Sequence, residues 1–175
     1  YEAVSVSRIA GELGMTKGAL YRHYQNKRDI FEHIVKRMEQ GDSEQAEKNN
    51  VPEEEMEKNP EKYQETTMED FLEYSKSMFK YWTEDDFASS FRKMLTLEQF
   101  RNEEMQGLYQ QYLASGPVGY VKDLFQSMGV ADADCKAVRF YAVMYLYYSI
   151  YDGAQDKEKV TKELEAALNE MIREF

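Results

Sequence analysis

The chain has 175 residues, 42% of them hydrophobic and 14% aromatic, which suits one or two small domains with a buried core and excludes disorder along its whole length. No run of 18 apolar residues occurs, so no membrane-spanning helix is expected, and no secretory signal is visible. A net charge of -11 excludes a uniformly basic nucleic-acid binder.

The charge is unevenly spread. Residues 1–40 hold seven lysines and arginines against five acids, a net of +2, which leaves -13 for the remaining 135 residues. One end can therefore approach phosphate while the rest is repelled by it; acidic surface that merely aids solubility is the plainer reading of the same numbers. Cys135 is the only cysteine, so no internal disulfide can form, which fits a cytoplasmic protein.

Taken in order, the first element is a short helix from Val6, with Ser5 as its cap and Val6, Ile9, Ala10 and Leu13 at helical spacing. Gly14 stops it. Thr16 caps a second helix predicted to run through Lys17 to Tyr24. Gln25-Asn26-Lys27 reads as a turn, and a longer helix begins near Lys27 or Arg28 with Ile30, Phe31, Ile34, Val35 and Met38 on one face. Two short helices separated by a glycine-containing turn are the helix-turn-helix pattern, whose second helix enters the major groove. Because two such helices cannot bury their own apolar faces, a third must cover Ile9, Leu13, Leu20 and Phe31. The helix from residue 28 is expected to cover part, and a helix preceding Tyr1 the rest.

Residues 39–70 contain twelve acids and three lysines, with Pro52 and Pro60 inside. They read as a frayed helix end, a loop, and a new helix near Thr67 with Glu69 and Asp70 in its first turn. Further helices follow over an aromatic face from Phe71 to Trp82, from Asp85 or Asp86 through Leu97, from Glu103 to Leu113, and from Pro117 to about Met128-Gly129. Asp132 or Asp134 is expected to cap a nearly continuous apolar helix over Val138 to Tyr151. The last helix shows Val160, Leu164, Ala167, Leu168, Met171, Ile172 and Phe175 at steps of three and four. No alternating β pattern appears. The chain reads as all-α with about nine helices, divided into an N-terminal domain over residues 1–45 and a larger domain over residues 46–175.

The string VSVSRIAGELGMTKGALYRHYQNKRDIF at residues 4–31 resembles the tetracycline-repressor (TetR) family of transcriptional regulators. The matching features are Ile9-Ala10, Gly14, the Thr16-Lys17-Gly18-Ala19-Leu20-Tyr21 helix, and an aromatic-x-x-Lys pattern at Tyr24 and Lys27. The family's first helix would precede Tyr1, and Ser5 stands where the family often has Thr, keeping the hydroxyl. The resemblance covers the N-terminal 38 residues; beyond them it is one of architecture.

The resemblance and the chemistry of the residues point to the same DNA-binding set: Ser5, Thr16, Lys17, Gly18, Ala19, Tyr21, His23 and Lys27. Helix N-termini suit phosphate. Gly18 and Ala19 are small enough for close approach to base edges, the Ala19 methyl can meet a thymine methyl, and Lys17 can reach guanine acceptors or phosphate. Tyr21, His23 and Lys27 fit phosphate contacts, which position rather than specify. Leu20 and Tyr24 read as core, Tyr21 divides between core edge and DNA contact, and His33 reads as a surface residue.

In the larger domain, aromatic and methionine side chains form either a core or an apolar ligand pocket with a few polar tips. The ligand candidates are Tyr74, Met78, Trp82, Phe91, Met94, Tyr109, Phe125 and Tyr145. The resemblance implies that a small apolar or aromatic effector releases operator DNA from a repressor by changing the spacing of two recognition helices, which must match one DNA turn, about 34–36 Å. The apolar stripes of the last two helices suggest a homodimer through a four-helix bundle, with Tyr141, Tyr145, Tyr148, Leu164, Leu168, Met171 and Ile172 at the interface; burial within one protomer is the competing reading. Among enzyme signatures only Ser77-x-x-Lys80 matches, without its partner motifs, so catalysis is not expected. Two histidines and one cysteine, far apart, predict no metal site, and no cofactor is expected. An acidic helical adaptor that binds protein instead of DNA would explain the charge but not residues 4–31.

Overall fold

The computed structural model describes residues 4–175, which among themselves form helices and no strands. The helices are α1 (Val6–Glu12), α2 (Lys17–Leu20), α3 (Lys27–Lys48), α4 (Pro60–Glu65), α5 (Met68–Glu84), α6 (Asp86–Glu98), α7 (Glu103–Leu113), α8 (Ser115–Ser127), α9 (Ala133–Gly153) and α10 (Lys157–Arg173). No described helix is long and apolar enough to cross a membrane. The chain divides into two compact units, Tyr1–Ser43 and Glu44–Phe175.

In the first unit, local hydrogen bonds set the boundaries. Ser5 Oγ accepts from Arg8 N–H at 3.2 Å and Thr16 Oγ1 from Ala19 N–H at 3.1 Å, which satisfies donors that a helix start leaves unpaired. Gly14, at φ 63°, ends α1. Its N–H donates to Gly11 C=O at 3.0 Å, and Met15 N–H reaches back to Ala10 C=O at 2.8 Å. That is a Schellman closure, which needs a left-handed residue at Gly14. The second helix is shorter than its sequence suggests. After Leu20 the chain tightens, with Arg22 N–H on Ala19 C=O and His23 N–H on Leu20 C=O, so residues 21–23 are a turn. Asn26 Oδ1 then caps α3 through Asp29 N–H at 3.0 Å, while Asp29 Oδ2 accepts from Gln25 N–H at 2.7 Å.

The second unit is the larger core. Its α5 begins with a capping box in which Thr67 Oγ1 accepts from Asp70 N–H and Asp70 Oδ2 accepts from Thr67 N–H, both at 3.1 Å. Asp85, Asn102 and Asp156 cap α6, α7 and α10 with their side chains. Asp132 precedes α9 in a left-handed conformation, φ 54°, without a side-chain cap, so the capping role expected of an aspartate there is not met. The turn into α8 requires Gly116, because a Cβ there would sit 2.0 Å from Gln111 C=O.

Helix α9 packs on α5, α8 and α10, and α5 also on α6 and α10. Phe71, Phe125 and Phe140 form one aromatic cluster with ring centres 4.9–5.9 Å apart. Trp82, Phe91 and Tyr112 form a second, and Phe79 stacks on Tyr148 at 5.6 Å. The one described helix not expected from sequence, α4, lies in the acidic stretch read there as loop. Asn59 caps it, Pro60 occupies its first turn, and buried Tyr63 anchors it beside Tyr120 of α8. Tyr120 in turn donates to Pro52 C=O at 2.9 Å. Tyr63 is the one buried side chain within α4, and Val51, Pro52 and Thr66 are buried on either side of it.

Candidate DNA interface and effector groove

The N-terminal unit presents its second helix outward. Thr16, Lys17 and Gly18 are exposed and Ala19 is half-buried, while Leu20 behind them is buried with Ala10 and Phe31. The inward side is thus apolar, and the outward side carries one cation and the smallest side chains. Lys17 Nζ lies 5.6 Å from the ring centre of Tyr21, which is 43% exposed, so the ammonium rests over an aromatic face at the surface. Ser5 and His23 are exposed and Lys27 is half-buried. Tyr24 packs edge-on against His33 at 5.2 Å, and His33 Nδ1 lies 2.8 Å from Asp29 C=O; His33 therefore braces the start of α3 more than its surface position suggests. Leu13, which a covering helix was expected to bury, is 59% exposed.

Gly18 is informative. A glycine inside a helix costs about 1 kcal/mol relative to alanine. Yet a Cβ at Gly18 would meet nothing within 4 Å. Nothing among the described residues needs a glycine there, so the small residue suits something that approaches from outside.

Residues 1–34 match the family model for bacterial regulatory proteins of the tetR family. They are a TetR-family DNA-binding domain. The chain is on that ground a DNA-binding transcriptional regulator, a conclusion that rests on this segment; the match ends within α3 and leaves Glu44–Phe175 outside it. No curated protein and no solved structure gives a match.

The ligand candidates in the second unit do not converge on one cavity. Phe125 belongs to the Phe71–Phe140 cluster, and Trp82 and Phe91 to the Tyr112 cluster, all buried. Tyr74 lies beside Tyr120 at 5.9 Å, and Met78 and Met94 are half-buried. Tyr109 and Tyr145 do meet, their hydroxyls 2.5 Å apart. Burial, then the hydrogen bond with Tyr109, pushes the Tyr145 phenol up to about 12. Tyr145 also lines a groove of about 300 Å³ between α6 and α9, with Arg92, Lys93, Leu97, Tyr148 and Asp152.

The charged members of that groove were missed from sequence. Arg92 sits on the apolar face of α6 between Ala88 and Leu95, both fully buried. A cation on a core-facing stripe is the signal that would have found it. Its Nη2 donates to Asp152 Oδ1 at 2.8 Å and its Nε to Trp82 C=O at 3.0 Å. Lys93 Nζ lies 3.5 Å from the same Asp152 oxygen. Burial acts to raise the Asp152 pKa, but the Arg92 hydrogen bond and charge, with Lys93 beside it, hold it below the ordinary carboxylate value.

The residues expected at a dimer interface are mostly interior. Tyr141, Tyr148, Leu164 and Leu168 are buried within the protomer, and Met171 and Ile172 are half-buried. The reason is that α10 packs on both α9 and α5, so one protomer already uses these stripes. Burial also raises the Tyr141 phenol pKa, with the neighbouring Tyr148, Tyr145 and Tyr109 adding to it. The large apolar residues left exposed on α9 are Val138, Leu146 and Ile150.

Proposed function

We propose that this regulator is a repressor that reads its operator with residues 16–21, supported by Ser5, His23 and Lys27, and leaves it when a small apolar or aromatic molecule binds within Glu44–Phe175. The observation that carries the DNA-reading half is the start of α2, where Thr16, Lys17 and Gly18 are exposed while Leu20, which ends the helix, is buried. The protein works as a homodimer in the cytoplasm, because two recognition helices must meet successive major grooves. The contact between copies runs over the exposed Val138, Leu146 and Ile150 of α9, spaced so that they share one helix side.

Gel-shift titration on DNA flanking the protein's own gene tests the reading. Lys17→Ala and Tyr21→Ala should weaken binding while circular dichroism stays unchanged. Each lost phosphate contact should flatten the log–log salt dependence by about 0.9. Unchanged affinity in both variants rejects the assignment of α2 as the reading helix. A chain that shifts no such fragment at low salt is not a regulator of this kind.

A further inference from the structure

We propose that the groove between α6 and α9 is an organic-anion site, and that the effector it takes is an aromatic carboxylate. The inference rests on the ligand-responsive reading above and gives that ligand a place and a chemical class. Arg92 is 5% exposed, yet it lines the groove. A guanidinium has five N–H donors in a planar fork; one goes to Trp82 C=O and one to Asp152. Its carbon lies 5.0 Å from the ring centre of Tyr148, so the plane is held by an aromatic face as well as by its bonds. Lys93, half-exposed, shares the same Asp152 oxygen. Two cations therefore answer to one carboxylate oxygen, and the lining carries one positive charge in excess inside a chain whose net charge is -11.

Such a site favours a carboxylate over a neutral group, since charge-assisted and bidentate bonds to arginine are shorter and stronger than neutral ones. The remaining lining chooses the rest of the ligand. Tyr145, Tyr148 and Leu97 offer aromatic and aliphatic surface, and the Tyr145 hydroxyl is already engaged by Tyr109. The volume, about 300 Å³, lies at the small end of ligand sites, which suits one or two fused rings. Asp152 competes with the incoming carboxylate for both cations, so occupation of the groove exchanges one carboxylate for another at Arg92. That exchange touches α6 and the C-terminal end of α9 together.

Isothermal titration calorimetry on the full chain with 2-naphthoate and its neutral isostere 2-naphthamide decides the matter. Naphthoate should bind at least tenfold more tightly than naphthamide. Lys93→Met, at a half-exposed position that leaves the fold intact, should weaken naphthoate about threefold or more and leave naphthamide unchanged. Asp152→Asn should tighten naphthoate by removing the competing carboxylate. Equal affinity for the two compounds, weaker naphthoate binding in Asp152→Asn, or no binding of either compound overturns the proposal. A gel shift run in parallel separates it from the broader reading. If both compounds bind alike and both release DNA, the ligand-responsive regulator stands and the anion site falls. Charge-selective binding that leaves DNA bound supports the site and removes the effector role.

Discussion

Asp42, on α3, is the strongest test of the electrostatics of the N-terminal unit. Burial, and secondarily the charge of Glu39, pushes its pKa from 3.8 to about 7, and its Oδ1 has no hydrogen-bond partner among the described residues. The folded chain therefore binds a proton there that the unfolded chain releases. For a carboxyl raised on folding, stability is greatest below the unfolded pKa and is lost as pH rises towards the folded one. The window is about pH 4 to 7. A shift of roughly three units at 1.36 kcal/mol per unit gives an upper bound of about 4 kcal/mol. Asp42→Asn keeps the shape and cannot ionise. In urea unfolding it should match the parent chain at pH 4 and exceed it at pH 8 by about 2–4 kcal/mol. Measuring the difference between the two chains cancels the titration of the other acids. A variant no more stable than the parent at pH 8 would show that Asp42 ionises at no cost and would refute the reasoning.

Gly18→Ala should raise stability by about 0.5–1 kcal/mol, since the added methyl meets nothing and helix propensity improves, and it should weaken operator binding; a more stable variant that still binds normally removes Gly18 from the interface. Thr67→Ala should cost about 1 kcal/mol by opening the capping box. The side-chain and backbone hydrogen bonds from Thr67 hold the Asp70 pKa low, so part of that loss should fade as pH falls through the folded-state value, readable as a smaller gap between the chains in acid. Leu146→Glu, on an exposed position, should yield folded monomers in analytical ultracentrifugation, whereas Leu168→Ala, fully buried, should cost about 2–5 kcal/mol without altering the association state.

The sequence yielded most of the helices because their signals are local. Ser5, Thr16, Asp85 and Asn102 lie next to the turns they cap, and Gly14 stands where α1 must stop. The one helix it missed, α4, has too few apolar residues to show a period; only the burial of Tyr63 against a distant helix explains it. The start of α2, with its Thr16 cap, was legible for the same local reason. Whether the expected ligand residues share a cleft was not legible, because an aromatic residue on an amphipathic helix reads alike whether it fills a core or lines a cleft. Trp82, Phe91 and Phe125 proved to be packed among other rings, and the groove is marked instead by Arg92, whose distinction is charge on a buried face. The expected interface residues pose the same difficulty. A wide apolar stripe on α10 says that something covers it, but only the packing shows that α9 and α5 already do.

Net charge is a poor guide to what this chain binds, and the reason yields a last expectation. At physiological salt the Debye length is about 8 Å, so a phosphate docked on α2 senses nearby groups and little beyond them. Residues 16–28 contain Lys17, Arg22, Lys27 and Arg28 and no acid, a cationic segment inside an acidic protein. Arg28 is in part committed to Glu32, 2.9 Å away, which leaves Lys17 and Arg22 as the stronger candidates for phosphate. Neutralising one of these should flatten the salt dependence of DNA binding by about 0.9 per lost contact, and a dimer would lose two. Glu170→Gln, on an exposed position of α10, removes the same amount of charge in the opposite sense. If binding follows local charge, that variant should leave the salt slope unchanged and move affinity by less than about twofold. If it instead raised affinity as much as the lysine change lowers it, long-range repulsion by the acidic unit would be governing association, and the cationic segment would lose its special standing.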